Sequence, residues 1–165
     1  MMPKTTAVPG LVLRSEQATD AQAIETLLDR AFGPGRFVKS SERVREIAEF
    51  RPDLSLCAIE GGRLVGSVRM WQVHVGETAA IFLGPLAVEA DARSAGVGGI
   101  LVEAACKAAE AAGFPLVVLV GDPPYFARFG FSAAQTRDVR LPGPVDQRRV
   151  LARGASAALA GPVTA

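Results

Sequence analysis

RSAGVGG, residues Arg93 to Gly99, separates a predicted strand from a predicted helix. The apolar run AAIFLGPLAV (Ala79 to Val88) before it predicts a central strand with a bulge or gap at Gly84-Pro85, because proline cannot donate to a sheet ladder. The alanine-rich run GILVEAACKAAEAAG after it predicts a helix that ends at Gly113. A glycine-rich turn there either exposes unpaired N–H groups as an anion cradle or merely relieves crowding, and spacing alone leaves both open.

The segments before this unit predict one strand, two helices and a hairpin. LVLRS is a strand, and Thr19 with Gln22 predicts a capping box for the helix that follows. SERVREIAEF predicts a second helix. LSLCAIE and RLVGSVRMWQVHV flank Gly61-Gly62, a pair typical of a tight turn between antiparallel strands.

The segments after it predict a buried strand, a short helix and two further strands. LVVLVGD is typical of a buried strand, PPYFARFGF of a proline-initiated helix that leads into a strand, and RRVLAR of a late strand. We therefore predict an α/β fold, in which one mixed, largely antiparallel sheet is flanked by helices and splayed at a central strand bulge. The single domain is expected over residues 11–153, between a flexible N-terminus (1–10) and a flexible tail (154–165).

Composition narrows the class of partner. The chain has 165 residues with 18 Lys and Arg against 17 Asp and Glu, so nothing favours nucleic acid or an anionic membrane. Two isolated cysteines and one histidine argue against a metal site. No apolar run reaches the length of a membrane span, and we expect a small ligand and a cytoplasmic protein.

The loop Arg93 to Gly99 does not fully match either of two well-known phosphate-binding motifs. The P-loop pattern needs Lys-Ser or Lys-Thr after the glycines, and neither pair follows them. The dinucleotide pattern G-x-G-x-x-G begins at Gly96 and Gly98 but reaches Leu101 instead of a third glycine. Asp122 ends the next strand where a ribose-binding acid would stand, which keeps a nucleotide-dependent oxidoreductase as an alternative.

Several segments together resemble the GNAT superfamily of N-acetyltransferases. Arg93 to Gly98 fits its [RQ]-x-x-G-x-[GA] signature, and one bacterial branch is similar in four more segments. These are FGPGRF from Phe32, GRLVGSVRMW from Gly62, LGPLAV from Leu83 and VGDPPYFARFGF from Val120. The resemblance spans most of residues 11–153 in the right order.

The resemblance implies an acetyl-CoA-dependent transfer to an amine of a small molecule or a protein. The CoA pyrophosphate would lie on the loop, and the pantetheine arm would pair with the strand Leu86-Ala87-Val88. An N–H of that strand would polarise the thioester carbonyl. The implied pyrophosphate ligands are Arg93, Ser94, Ala95, Gly96, Val97, Gly98, Gly99 and Arg128.

The catalytic residues are harder to assign. The family often has a proton-donating tyrosine four residues before the glycine of its closing G-F, and here that position is Phe126, beside the CoA site. Tyr125 is its neighbour and the one tyrosine of the chain. Asp122 is either a helix cap or the group that orients the amine.

Two other sets of residues are weaker candidates. His74 is a possible base. Arg69, Trp71 and Glu60 would line an acceptor pocket if they faced it.

The sequence thus predicts an N-acetyltransferase with acetyl-CoA as cosubstrate and no metal. A non-catalytic acyl-CoA-binding module on the same fold is the alternative, because Phe126 lacks a hydroxyl. A homodimer is possible through exposed sheet edges.

Overall fold

The computed structural model describes residues 8–38, 40–93 and 95–165, with the backbone alone at 37, 38 and 40. Its strands are β1 (Leu11–Ser15), β2 (Glu49–Phe50), β3 (Leu56–Glu60), β4 (Arg63–Val75), β5 (Thr78–Val88), β6 (Val117–Val120), β7 (Asp138–Arg140), β8 (Val150–Arg153) and β9 (Ala160–Thr164). Its α-helices are α1 (Ala21–Phe32), α2 (Ser40–Ile47), α3 (Ala90–Arg93), α4 (Val97–Ala111) and α5 (Pro123–Ala127). Short 3₁₀ turns cover Ala18–Asp20, Pro34–Val38 and Gln147–Arg149.

One sheet holds most of these strands. Its main path runs β1-β3-β4-β5-β6-β8, and β2 and β9 add to β4. Every pair on the main path is antiparallel except β5 with β6. The mixed, largely antiparallel sheet predicted from the sequence is therefore confirmed.

The β3–β4 hairpin turns where the glycine pair predicted it. Gly61 and Gly62 have φ angles of 57° and 77°, in the left-handed region that a side chain disfavours. The hairpin places β4 at the centre of the sheet, between β3 and β5.

Helices cover both faces of β4 because its side chains alternate. Val68 and Met70 belong to the core cluster under α4, and Val73 belongs to the cluster under α2. Burying a Val, Leu or Met in this way contributes about 1.5–3 kcal/mol each. The face under α4 is closely packed, since a Cβ on Gly66 would lie 2.9 Å from Leu101 Cδ1.

β5 carries the predicted bulge. Three residues of β4, from Met70 to Val68, lie opposite four of β5, from Leu83 to Leu86. The extra residue falls at Gly84-Pro85, and Trp71 Nε1 donates to the Gly84 carbonyl at 2.6 Å. The bulge bends β5 where the sheet begins to open.

Two expectations about the ends of elements are wrong. The tail expected to be flexible contains β9, which pairs with His74 and Val75 of β4 and buries Val163. The expected Thr19–Gln22 capping box is replaced by one between Gln17 and Asp20 at the preceding 3₁₀ turn. Residues 1–7 of the expected flexible N-terminus lie outside the described residues.

Asp20 ties β1 to the start of α1. Its carboxylate receives two hydrogen bonds from Arg14, at 2.7 and 2.8 Å, and one from the backbone N–H of Gln17. These bonds, above all those from Arg14, lower the pKa of Asp20 to about 2.

Candidate active site

The sheet splays between β5 and β6. Their parallel pairing covers only Ile81 with Val117 and Phe82 with Val118, and the strands then diverge. A cavity of about 620 Å³ opens beyond Phe82. We call it the acceptor-side cavity; residues from β5, β6, α5, α1, α2 and the segment 144–149 line it.

A second cavity of about 320 Å³ adjoins it, and we call it the loop-side cavity. Leu83, Gly84 and Pro85 line only the acceptor-side cavity, whereas Ala87 and Val88 line only the loop-side cavity. The residues that line both are Phe32, Leu86 and Tyr125. The two cavities therefore meet at these three residues, directly after the bulge.

The backbone of β5 points polar groups into this junction. The Glu89 N–H, directly after β5, donates to the Val65 carbonyl of β4 at 2.8 Å and therefore faces β4. Because successive N–H groups of a strand alternate, those of Leu86 and Val88 face away from β4, toward the open side. The Leu86 N–H is thus a backbone donor at the junction.

The N-terminus of α4 borders the loop-side cavity, which Gly98 lines. Gly96 precedes the helix with φ of 80°, and the Ile100 N–H donates to its carbonyl at 3.1 Å. The N–H groups of Val97, Gly98 and Gly99 come earlier in the helix and point out of its positive end. The geometry suits an anion; Ser94, also expected at this loop, lies outside the described residues.

The glycines of this loop also admit aromatic rings. A Cβ on Gly98 would lie 2.7 Å from the Tyr125 hydroxyl, and one on Gly99 would lie 3.0 Å from the Phe129 ring. Gly98 and Gly99 therefore relieve crowding, as the alternative interpretation held, while Gly96 supplies the left-handed turn. The two interpretations are compatible, because a closely packed glycine still leaves the N–H groups of the first helical turn without partners inside the helix.

The two arginines expected at the loop differ in their contacts. Arg93 lines the loop-side cavity, and its Nε donates to the Val88 carbonyl at 3.1 Å. Arg128 lines neither cavity; its guanidinium stacks 4.7 Å from the centre of the Tyr125 ring and 5.3 Å from that of Phe129. Arg93 is thus positioned at the cavity wall, and Arg128 covers the aromatic cluster outside it.

Tyr125 and Phe126 are adjacent but face different surroundings. Phe126 is buried in the core, where a Cβ on Gly121 would lie 2.4 Å from its ring. It lines only the acceptor-side cavity, whereas Tyr125 is half-buried at the junction with its hydroxyl against Gly98. The chain's single tyrosine hydroxyl therefore lies where the two cavities meet.

Asp122 lines the acceptor-side cavity at the start of α5. Its side chain makes no capping hydrogen bond to this helix, so the capping interpretation is wrong. The carboxylate is exposed, and the other interpretation, that it orients the amine, stays a prediction.

The weaker candidates lie elsewhere. His74 contacts the Ala165 carbonyl through Nδ1, beside β9. Arg69 pairs with Glu16, Trp71 holds the bulge, and Glu60 is exposed at the β3–β4 hairpin. None of these four side chains lines either cavity.

Sequence reasoning assigned no role to one wall of the acceptor-side cavity. Arg36, Ser41 and Arg45 come from the segment after α1 and from α2, and Arg149 comes from the turn before β8. The only sequence signal near them was FGPGRF, which contains Phe32 and Arg36 but does not indicate a direction for either side chain.

Neither a cluster of metal-binding side chains nor an exposed cysteine occurs among the described residues. No group of three or more His, Cys, Asp or Glu side chains that suits a metal ion occurs among the residues that the structure describes. Cys57 and Cys106 are buried, and burial raises their pKa to about 12 and about 11, which keeps both as thiols. Within the described ranges, no helix is long and apolar enough to cross a membrane.

Comparisons with known proteins agree on one family. The family model "Acetyltransferase (GNAT) family" matches residues 21–131. YhbS of Escherichia coli K12, named an uncharacterized N-acetyltransferase, is 31% identical over an alignment of 141 residues that covers 81% of each chain. YjhQ of the same strain, also named an uncharacterized N-acetyltransferase, is 30% identical over an alignment of 138 residues that covers 79% of this chain and 73% of YjhQ.

A solved structure gives the same answer for the fold. The crystal structure of Escherichia coli YhbS in complex with CoA has a TM-score of 0.76 and 28% identity, and covers 95% of this chain and 90% of YhbS.

Proposed function

The chain belongs to the GNAT acetyltransferase family, and we propose that it transfers the acetyl group of acetyl-CoA to an amine at the junction of its two cavities. The single observation that carries the proposal is this junction, where the Leu86 N–H and the Tyr125 hydroxyl meet between a loop-side and an acceptor-side cavity. CoA in the YhbS crystal structure supports the choice of cosubstrate.

The loop-side cavity is proposed to hold the CoA arm. The outward N–H and C=O groups of Leu86 and Val88 would pair with the pantetheine amides as a further strand does. The N–H groups of Val97, Gly98 and Gly99, with Arg93 nearby, would bind the pyrophosphate at the positive end of α4. The loop ligands proposed with them are Ser94, Ala95 and Gly96. Arg128 is not among them, because its guanidinium lies on the aromatic cluster outside the cavity.

Leu86 is proposed to stabilise the charge that develops during transfer. The amine nitrogen attacks the thioester carbonyl carbon, and the Leu86 N–H donates to the carbonyl oxygen as it becomes an oxyanion. A preorganised donor of this kind contributes about 10²–10³ in rate. Holding both reactants in adjoining cavities supplies further acceleration by proximity.

Tyr125 and Asp122 are proposed to handle the protons. When the C–S bond breaks, the Tyr125 hydroxyl donates its proton to the CoA thiolate and regains one from solvent. The Asp122 carboxylate orients the attacking nitrogen and passes the proton released there to water. Phe126, which has no proton to give, is proposed to shape the cavity beside the acetyl group.

Location and assembly complete the proposal. Two buried free thiols suit the reducing cytoplasm, where acetyl-CoA is available. β1 ends the sheet path and pairs with β3, so its outer edge is the proposed contact of a homodimer. Light scattering during gel filtration measures the dimer directly.

A two-part assay tests the function. Acetyl-CoA at about 100 times its dissociation constant should stabilise the protein by about 2.7 kcal/mol, whereas NADH at the same concentration should not. Thiol release from acetyl-CoA should then depend on an added amine. Stabilisation by NADH alone would support the oxidoreductase, and acetyl-CoA binding without turnover on any amine would support the non-catalytic module.

A further inference from the structure

The acceptor-side cavity contains a buried arginine that the acetyl transfer itself does not need. Arg45 of α2 lines this cavity, and its side chain is only 9% exposed. Its Nε and Nη2 donate to one carboxylate oxygen of Glu42, at 3.2 and 2.5 Å. Its third nitrogen, Nη1, lies 3.6 Å from the point where a Cβ on Gly84 would stand.

Nη1 is the nitrogen of this guanidinium for which the described residues supply no hydrogen-bond partner. The Arg45 side chain is more than nine-tenths buried, but Nη1 is not among the fully enclosed side-chain atoms that lack a partner. Gly84 lines the acceptor-side cavity and has no side chain to cover this nitrogen. Nη1 therefore faces the part of the cavity that lies beside the bulge.

Arg45 also has fewer carboxylate partners than Arg36 and Arg69, the two arginines whose positive charges act on it. Within the part of the chain that the structure describes, Arg36 and Arg69 each pair with two carboxylates, whereas Arg45 pairs with Glu42 alone. The partners of the first two are Glu25 and Asp29 for Arg36, and Glu16 and Glu25 for Arg69. Burial, together with the positive charges of Arg36 and Arg69, lowers the pKa of Arg45. A second anion beside Arg45 would offset both effects.

The acidic side chains of the cavity do not supply that anion. Both oxygens of Asp146 accept hydrogen bonds from Arg148. Asp122 forms no ion pair within the described part of the chain and lies at the start of α5, beside Tyr125. Arg149, another arginine of this cavity, donates to the Gly121 carbonyl. The cavity thus offers a carboxylate near the junction and an arginine near the bulge.

The spacing of these groups sets the size of a matching ligand. Gly84 precedes Leu86 by two residues of β5, so their Cα atoms are at most about 7 Å apart. An amine at Leu86 and an anion at Arg45 are then a few covalent bonds apart. This separation fits a small amino acid-like molecule with a short carbon chain.

We infer that the acetyl acceptor is a small amine that also carries an anionic group, a carboxylate or a phosphoryl group, bound by Arg45 beside Gly84. The inference rests on the proposed function for the identity of the amine, but the anion site is a property of the cavity. Arg45 then determines specificity: a neutral amine leaves its Nη1 unsatisfied and binds more weakly.

Binding of product analogues tests the site without requiring turnover. The probes are N-acetylglycine, N-acetyl-β-alanine and N-acetyl-γ-aminobutyrate, each compared with its uncharged amide in the presence of saturating CoA. Isothermal titration should show at least one acid that binds about 10–100 times more tightly than its amide, as expected of a hydrogen bond to a charged group. N-acetyl aminomethylphosphonate distinguishes a phosphoryl from a carboxylate preference.

Two variants assign the preference to the arginine. The double variant Glu42→Gln/Arg45→Gln removes both charges, so no carboxylate is left unpaired, and it should reduce the acid-to-amide ratio to about 1. The control is Arg43→Gln on the same helix, whose exposed pair with Glu46 faces solvent. This control should keep the full preference.

The outcomes separate the inference from the proposed function. Equal binding of acids and amides, binding of no acid, or an unchanged ratio in the double variant would overturn the anion site. Acetylation of neutral amines as fast as of their acidic counterparts would overturn it too, while leaving the acetyltransferase intact. A clear acid preference without turnover on any amine would instead contradict the proposed function.

Discussion

The two cavities that meet at Leu86 and Tyr125 are built in different ways. The residues that line the loop-side cavity come mostly from one stretch, Leu86 to Gly98, and Ala31, Phe32 and Tyr125 complete it. The acceptor-side cavity is formed by side chains from segments spread between residues 32 and 149. A change in the first acts through main-chain geometry, whereas a change in the second acts through the charge or shape of single side chains.

The largest expected effect comes from the donor at the junction. Leu86→Pro removes an N–H that faces the cavity and is not needed for the β4 ladder, so kcat should fall about 10²–10³-fold. Leu86→Ala keeps the N–H and is the matched control. Thiol release measures both, and circular dichroism checks the fold. An equal kcat in the two folded variants would mean that the Leu86 N–H does not stabilise the oxyanion.

A smaller effect is expected in the acceptor-side cavity. Asp122→Asn keeps the shape of the side chain but removes its charge, and kcat/KM for the amine should fall about 10–100-fold. The dissociation constant of acetyl-CoA should stay the same. Asp138→Asn, an exposed change on β7, is the control. Weaker acetyl-CoA binding in Asp122→Asn would mean that this carboxylate acts on acetyl-CoA and not on the amine, which contradicts its proposed role.

The difference between the cavities also explains how much the sequence predicted. The bulge at Gly84-Pro85, the turn at Gly96 and the helix that ends near Gly113 follow from local rules for proline and glycine, and the structure has all three. The wall that contains Arg45 depends on how α2 packs on the sheet. Residues far apart in the chain meet there, and no local pattern encodes their contact.

The same limit applies to single residues within a correctly predicted element. The short helix α5 was expected from its prolines, yet whether Asp122 caps it depends on one side-chain rotamer. The final strand β9 was missed because AGPVT is short and contains glycine and proline, which are poor strand formers. Its pairing with β4 is tertiary information.

A smaller effect again is expected at the turn before α4. Gly96→Ala introduces a side chain at φ of 80° with no atom within 4 Å, so the cost is conformational strain of about 1 kcal/mol. If this strain tilts the N–H groups, acetyl-CoA should bind about fivefold more weakly. Gly113→Ala is the matched control, because it has φ of 93°, equally open surroundings and lies after the other end of α4. Equal affinities of the two variants for acetyl-CoA would mean that the turn at Gly96 takes no part in CoA binding.

The smallest effect on activity is expected at Asp20, because neither this residue nor its partners Arg14 and Gln17 line a cavity. Since the folded-state pKa of Asp20 is about 2, below the usual 3.8, its stabilising contribution is present above pH 4 and is lost as the pH falls toward 2. Asp20→Asn should lower the free energy of unfolding at pH 7 by about 1–2 kcal/mol. It should also flatten the fall in stability between pH 4 and pH 2, as urea titrations would measure, with kcat/KM unchanged. A tenfold loss of kcat/KM at pH 7 would show that the site depends on this anchor.

The most direct test of the junction compares the adjacent aromatic residues of α5. Tyr125→Phe should reduce kcat for thiol release about 10–100-fold without changing the dissociation constant of acetyl-CoA, because the hydroxyl acts on the departing thiolate. The swap Tyr125→Phe/Phe126→Tyr should not restore kcat, since position 126 faces the core side of the acceptor-side cavity. A wild-type kcat in Tyr125→Phe, or full recovery in the swap, would contradict the role of Tyr125 as the proton donor where the two cavities meet.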